Sequence, residues 1–327
     1  MEFRLDDGQI ELQQTVARFC ADRFPLDAVA AREGAPVDRS AWARMAELGV
    51  LGLLLPEGSG GAGLGPVEAA IVFEQLGGHL VPGPVLWTLL AAPLVSGAAS
   101  GEQLVGGVDA GEVADGSVVI GHAADLDVLL VVGDDGVTAH RTSGLPAPTP
   151  LDPLDPLTPV GRFTDLGAGE SVGDRAAATR LRTLGTVLSA AMLAGLSSRA
   201  LDVAREYALE RHQFGAPIGS FQAVKHMLAD MYVRTVSAQS LTYAAAAVLD
   251  RPDGDDPVRA ASGAKLLASD AAIANAGAAI QVLGGMGFTW DMLPNHLLKR
   301  AWTLENDFGR VEEHELHVGS TLEGARS

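Results

Sequence analysis

The residues best placed to do chemistry together lie between Tyr207 and Tyr232, in the stretch YALERHQFGAPIGSFQAVKHMLADMY. Arg211, Phe214 and Gln222 stand at or beside a turn built on Gly215, Pro217 and Gly219. A cation, an aromatic ring and an amide gathered there can converge on one ligand. An anion suits the arginine best, because a guanidinium is always charged and donates hydrogen bonds in a plane. No serine, cysteine or metal-ligand constellation elsewhere competes with this stretch. The glycine cluster GSGGAGLG, residues 58–65, lacks the lysine and hydroxyl of a P-loop and the spacing of a dinucleotide fingerprint, and reads as a connecting loop.

The chain that must position these groups has 327 residues, 47% of them hydrophobic, enough to bury large cores in two domains or three small ones. Its 41 acidic against 23 basic side chains give a formal net charge of −18. A field of that sign repels phosphate backbones and anionic lipid, so neither nucleic acid nor a membrane surface is an expected partner. Cys20 is the single cysteine, which excludes an intrachain disulfide framework and a cysteine-rich metal site, fits a reducing cytoplasm, and reads as a small buried apolar group. The N-terminal MEFRLDDGQI lacks the basic start and apolar core of a signal peptide, and no uninterrupted apolar run approaches the roughly 20 residues of a membrane helix. A soluble, cytoplasmic protein is the expectation.

The pattern of apolar residues divides the chain into three parts: a helical domain over 1–99, a small β domain over 100–173 and a helical bundle over 174–327. Asp6 or Asp7 can cap a helix carrying Ile10, Val16 and Phe19, and Ser40 can cap another carrying Trp42, Met45 and Leu48. Further helices are expected over 67–77 and 85–95. Between 96 and 173, short valine- and leucine-rich runs at 117–120, 128–132 and 137–140 alternate with Gly and Asp and predict strands. The segment 145–159 holds six prolines and predicts a surface connection without regular structure. Beyond Asp174, Leu181, Leu184, Leu188, Met192, Leu196 and Leu201 mark a long helix, and Val224, Met227, Leu228, Met231 and Leu241 mark a second. RPDGDDP separates these from an alanine-crowded helix over 258–283, which Gly284 and Gly285 should cap, and a fourth helix is expected over 293–308. Alanine lets helices approach closely, so the three long ones should pack as an antiparallel bundle.

RHQFGAPIGSFQAVKHMLADMY together with QVLGGMGFTWDMLPNHLLKRA resembles the acyl-CoA dehydrogenase family, and LGVLGLLLPEGSGGAGLGPVEAAIVFEQLGGHLVPGP is similar to that family's N-terminal helical domain. The likeness covers both helical parts, in the family's order. It implies a mainly α fold with a small central β domain and a C-terminal four-helix bundle, bound FAD, and assembly into dimers or tetramers. It also implies an acyl-CoA or other acyl thioester as substrate, and an electron-transfer flavoprotein or similar electron acceptor.

Carried over from the family, Arg211 pairs with pyrophosphate oxygens of an FAD held mainly by a neighbouring subunit, and Phe214 packs on the cofactor. Gln281 with Gly284 and Gly285 presents amide and backbone donors, and Gln222 is a further candidate. Each has a plainer alternative: Phe214 as a core aromatic, Gly284 and Gly285 as a helix stop, Arg211 as a cation at a helix end. The family's chemistry also needs a carboxylate to remove the α-proton of the thioester. The two usual places for it fall on Phe308 and Gly185, and neither is acidic. Glu305 and Asp291 are nearby substitutes that read more simply as a solvated helix face and a turn, while His226 and His296 read as helix-surface or interface histidines. The middle segment is short and lacks the family's T-E-x-x-x-G-S-D stretch and its Trp–Thr/Ser strand for the flavin ring. The resemblance therefore points to the short subunit of a heteromeric α2β2 enzyme of the kind actinobacteria use on steroid side chains. In that reading the partner chain supplies the base. The alternatives are a self-sufficient homo-oligomer using Glu305 or Asp291, and a flavin-free structural homologue.

Overall fold

The structure, a computed structural model, describes residues 5–251, 255–290 and 292–324. Helix α1 (Asp7–Arg23) opens on a capping box in which the Asp6 carboxylate accepts from the Gln9 amide while the Gln9 side chain accepts from the Asp6 amide. Helix α2 (Arg39–Glu47) is capped by Asp38, not by the expected Ser40: the Asp38 carboxylate accepts from the amides of Ser40 and Ala41. An aspartate three residues ahead of the first apolar position simply reaches the free N–H groups first. Helix α3 (Pro66–Gly78) follows the glycine loop, and α4 (Val85–Ala91) is shorter than its apolar run.

Seven strands come next: β1 (Val105–Asp109), β2 (Val118–Gly121), β3 (Val128–Val132), β4 (Gly136–Arg141), β5 (Thr149–Leu151), β6 (Val160–Phe163) and β7 (Glu170–Asp174). They form one sheet in the order β1-β3-β4-β7, with β1 parallel to β3 and the other pairs antiparallel, and a second in the order β2-β6-β5. The proline-rich segment was expected to lack regular structure, yet it contributes β5. Pro150 is tolerated because β5 pairs on one side only, where the missing N–H faces away from the ladder. Val108, Ile120, Leu129, Phe163 and Leu166 fill the core of this region.

Helices α5 (Arg175–Glu210), α6 (Gln222–Asp250), α7 (Pro257–Leu283), α8 (Leu293–Glu305) and α9 (Val311–Gly324) complete the chain; between α5 and α6 lies a hairpin of β8 (His212–Gln213) and β9 (Ala216–Pro217). The predicted fourth helix stops three residues early, and α9 follows it. The chain divides into two compact units: residues 31–69 with 82–185, and residues 1–30 with 70–81 and 186–327.

In the first of these units, Arg182 anchors the base of α5 to the sheet, its Nε donating to Asp109 at 2.6 Å and its Nη2 to the Val132 carbonyl at 3.0 Å. In the helical unit, Ala261, Ala264, Ala268, Ala272, Ala276 and Ala279 line the buried face of α7. Asn275 ties three helices together, donating to Ser197 Oγ of α5 and to Thr235 Oγ1 and the Met231 carbonyl of α6, at 2.8, 3.0 and 3.0 Å. Gly195 of α5 lies so close to α3 that a Cβ there would collide with the Glu74 carbonyl. Cys20 is fully buried, and burial pushes its thiol up to about 12, as an inert core group requires. His296 is also fully buried within the chain, unlike the helix-surface or interface histidine the sequence suggested, because it shares the inward face of α8 with Leu297, Arg300 and Leu304. His226 is exposed.

Candidate functional site

The turn at the heart of the Tyr207–Tyr232 stretch is a two-residue hairpin loop, with His212 paired to Pro217 and Gln213 to Ala216. Phe214 and Gly215 form the loop, at φ +53° and +81°. Two consecutive positive φ values are what the right-handed twist of a tight hairpin demands, and glycine supplies the second at no steric cost. Phenylalanine supplies the first at a cost, since its Cβ crowds the backbone there. The Ile218 amide donating to the Arg211 carbonyl at 2.7 Å closes the turn, and α6 then starts at Gln222.

This geometry settles what Phe214 is not. Phe214 is 94% exposed and its ring stands edge-to-face with that of Phe221, centroids 6.1 Å apart, so the core alternative is excluded. Arg211, the first residue past α5, is exposed, as are Gln222 and Gln281. Tyr207 Oη donates to Met286 Sδ at 3.9 Å, which puts the last turn of α5 against the glycine loop that follows α7. The hairpin and the Gln281–Gly285 segment thus flank the same end of α5.

The two glycines differ in what demands them. Gly284 ends α7 at φ +63°, and its amide donates to the carbonyls of Gln281 and Ile280, so capping alone accounts for it. Gly285 is not in the left-handed region, and a Cβ built on it would meet nothing within 4 Å. Neither its own conformation nor packing within the chain asks for glycine there. Met286, Phe288 and Trp290 around it are large, apolar and exposed.

The positions that should hold a base are resolved separately. Gly185 is buried in α5 and offers no side chain. Phe308 is half-buried in a left-handed turn at φ +60°, with Gly309 following at +107°. Three residues before it, Glu305 is half-buried; burial raises its carboxyl above the ordinary range, Lys265 pulls it back, and Glu312 adds to the rise. Asp291 lies outside the described residues. Among the described residues no cluster of His, Cys, Asp and Glu could hold a metal ion.

A helical N-terminal segment, a small two-sheet region, a C-terminal bundle and a bare glycine loop beside an R-x-x-F-G hairpin define the class. The chain belongs to the acyl-CoA dehydrogenase family, flavoprotein oxidoreductases of acyl-CoA: residues 6–103 match its N-terminal domain and residues 175–318 its C-terminal domain. Among individual relatives, it is 34% identical over 299 residues to "Acyl-CoA dehydrogenase IpdE2" of Mycolicibacterium smegmatis, covering 89% of this chain and 91% of that protein. Among solved structures it is similar to the "Tcur3481-Tcur3483 steroid ACAD G363A variant", with TM-score 0.87 and 24% identity over 98% of this chain and 99% of that one. It is likewise similar to a chain of the "ChsE4-ChsE5 complex from Mycobacterium tuberculosis", with TM-score 0.83 and 25% identity over 99% of both chains.

Proposed function

We propose that this chain is the partner subunit of a heteromeric acyl-CoA dehydrogenase, completing an FAD site while another chain supplies the catalytic base. The observation that carries the reading is Gly285: a backbone held bare with nothing of the chain's own above it, beside a strained, fully exposed Phe214 and an exposed Arg211. Strain and exposure of this kind persist where an external ligand uses them. Arg211 would hold pyrophosphate oxygens, Phe214 would pack on the adenosine-diphosphate half, Gln222 and Gln281 would offer side-chain amides and Gly285 a bare backbone, while Gly284, whose amide is already bonded within α7, shapes the loop. A bound flavin would supply the hydride acceptor for the β-carbon of the thioester. The role of this chain's residues is to bind and orient the cofactor's far end. The empty base positions support a partner that carries the carboxylate, as does the likeness to a chain of the ChsE4-ChsE5 complex. The substrate would be an acyl thioester, the acceptor an electron-transfer flavoprotein or similar carrier, and the compartment the cytoplasm.

The test is to purify the chain alone and together with an acyl-CoA dehydrogenase subunit from the same organism that carries the glutamate. Stoichiometric flavin and substrate-dependent dye reduction from the chain alone would overturn the proposal. One observation favours a second reading, in which the chain works by itself: Glu305 has the raised carboxyl that a general base needs. Glu305→Gln distinguishes the two. Loss of dehydrogenation in a chain that turns over unaided supports the second reading, and unchanged turnover removes it.

A further inference from the structure

Lys265, on α7, is fully buried, and among the described residues no carboxylate lies within ion-pair distance of it. Its Nζ instead donates to three neutral oxygens: Ser189 Oγ of α5 at 2.7 Å, the Leu304 carbonyl at 2.6 Å and the Asp307 carbonyl at 2.6 Å. Those three bonds use every N–H of an ammonium group. Two of the acceptors belong to the turn that leaves α8. The same turn is held by Thr186 Oγ1 donating to the Phe308 carbonyl at 3.4 Å and by Ser189 Oγ donating to the Leu304 carbonyl at 3.3 Å. On the far side, His314 of α9 bonds Ser262 Oγ of α7 at 3.1 Å and lies against the Phe308 backbone.

A buried cation without a carboxylate partner is an expensive way to fill a core, and a methionine would fill the same space without desolvating a charge. What an ammonium does that a thioether cannot is satisfy the free carbonyls at the end of a helix. We propose that Lys265 is a positioning residue: its ammonium clamps the Leu304–Gly309 turn and thereby fixes where Glu305 and Phe308 stand. Burial holds the amine down to about 8 against the opposing pull of Asp307 and Glu305, so it is largely protonated at neutral pH. The other charged groups facing the turn are Arg300 on α8 and Glu312, Glu313, His314 and His317 on α9. The clamp operates on the turn itself, whichever chain supplies the base, so it is read without measuring flavin or turnover.

The sequence has three lysines, Lys225, Lys265 and Lys299, so 15N-lysine labelling of the wild-type chain yields an assignable set. One Nζ signal should exchange its protons at least tenfold more slowly than the others near pH 6.5. In Lys265→Met, amides of residues 304–309 should exchange about tenfold faster or more, while those around Asn275 keep their rates. In Lys265→Ala, added propylammonium should restore protection of the turn and the isosteric propanol should not. Three rapidly exchanging Nζ signals in the wild type would overturn the proposal, whatever the variants do. So would a Lys265→Met turn as protected as wild type, or equal rescue by the alcohol.

Discussion

Replacing Phe214 with glycine should separate the stability of the chain from its hold on the cofactor. In the free chain Phe214 is 94% exposed and pairs edge-to-face with Phe221, so little packing is lost; an exposed pair of this kind contributes at most about 0.5–1.5 kcal/mol. Relief of the left-handed backbone at φ +53° returns about 1–2 kcal/mol. The greater freedom of glycine in the unfolded chain costs roughly 0.5–1 kcal/mol. These terms nearly cancel, and the net change should stay within about 1 kcal/mol, a melting shift of roughly 3 °C or less for a chain of this size. Cofactor retention should respond differently. Burying a phenylalanine ring against a ligand is worth about 1.5–3 kcal/mol, which corresponds to about 10- to 150-fold in affinity. The assay is flavin fluorescence released on dilution of the purified heteromer, set beside thermal unfolding of the isolated chain. A melting temperature lowered by more than about 5 °C with unchanged flavin retention would refute the reasoning and make Phe214 a structural residue.

Gly285→Ala should leave the unfolding midpoint where it is, since the new methyl meets nothing in the chain, yet it should lower flavin retention in the same assay. Arg211→Ala removes an exposed cation, so stability should move by no more than about 0.5 kcal/mol. Loss of a charge-assisted bond of about 1.5–3 kcal/mol should weaken the cofactor about 10- to 150-fold. Gly195→Val drives a side chain into the Glu74 carbonyl and should destabilise by 1 to about 3 kcal/mol or more, read as a lower urea midpoint. His314 supplies a pH dependence. Burial, reinforced by Lys265, lowers it from the ordinary value of 6.5 to about 4, so the unfolded chain binds the proton first as pH falls. Its contribution is complete above about pH 6.5 and is lost towards pH 4 at up to about 1.4 kcal/mol per pH unit. The difference between wild-type and His314→Gln urea midpoints should therefore slope across that window and be flat above it.

How much of this was legible in the sequence depends on how local the determining interaction is. The turn was legible because Gly215, Pro217 and Gly219 are neighbours in the chain, though the two-residue pairing on either side of Phe214–Gly215 was not read from them. The long helices were legible because a 3.6-residue period persists over many turns. Strands β1, β6 and β7 were not, since glycine interrupts VGGVD, VGRF and ESVGD, and the pairings of β1 with β3, β6 with β2 and β7 with β4 span 23 to 45 residues. Pro150 could join a strand only because β5 lies at a sheet edge, and an edge is a property of the whole sheet. Lys265 reads in sequence as an ordinary charged residue on an alanine-rich helix; its burial depends on carbonyls 39 and 42 positions further on. The same distinction bears on the missing base. The left-handed turn at Phe308 and Gly309 is held by Lys265, Ser189, Thr186 and His314, none of which is the residue that would do the chemistry. Replacing a carboxylate by phenylalanine at such a place leaves the cradle intact, because backbone carbonyls and not the side chain hold it. On the proposed reading, such a chain keeps the fold of its relatives and the exposed loop at Gly285 that would receive a cofactor, while the acid–base chemistry is left to another subunit.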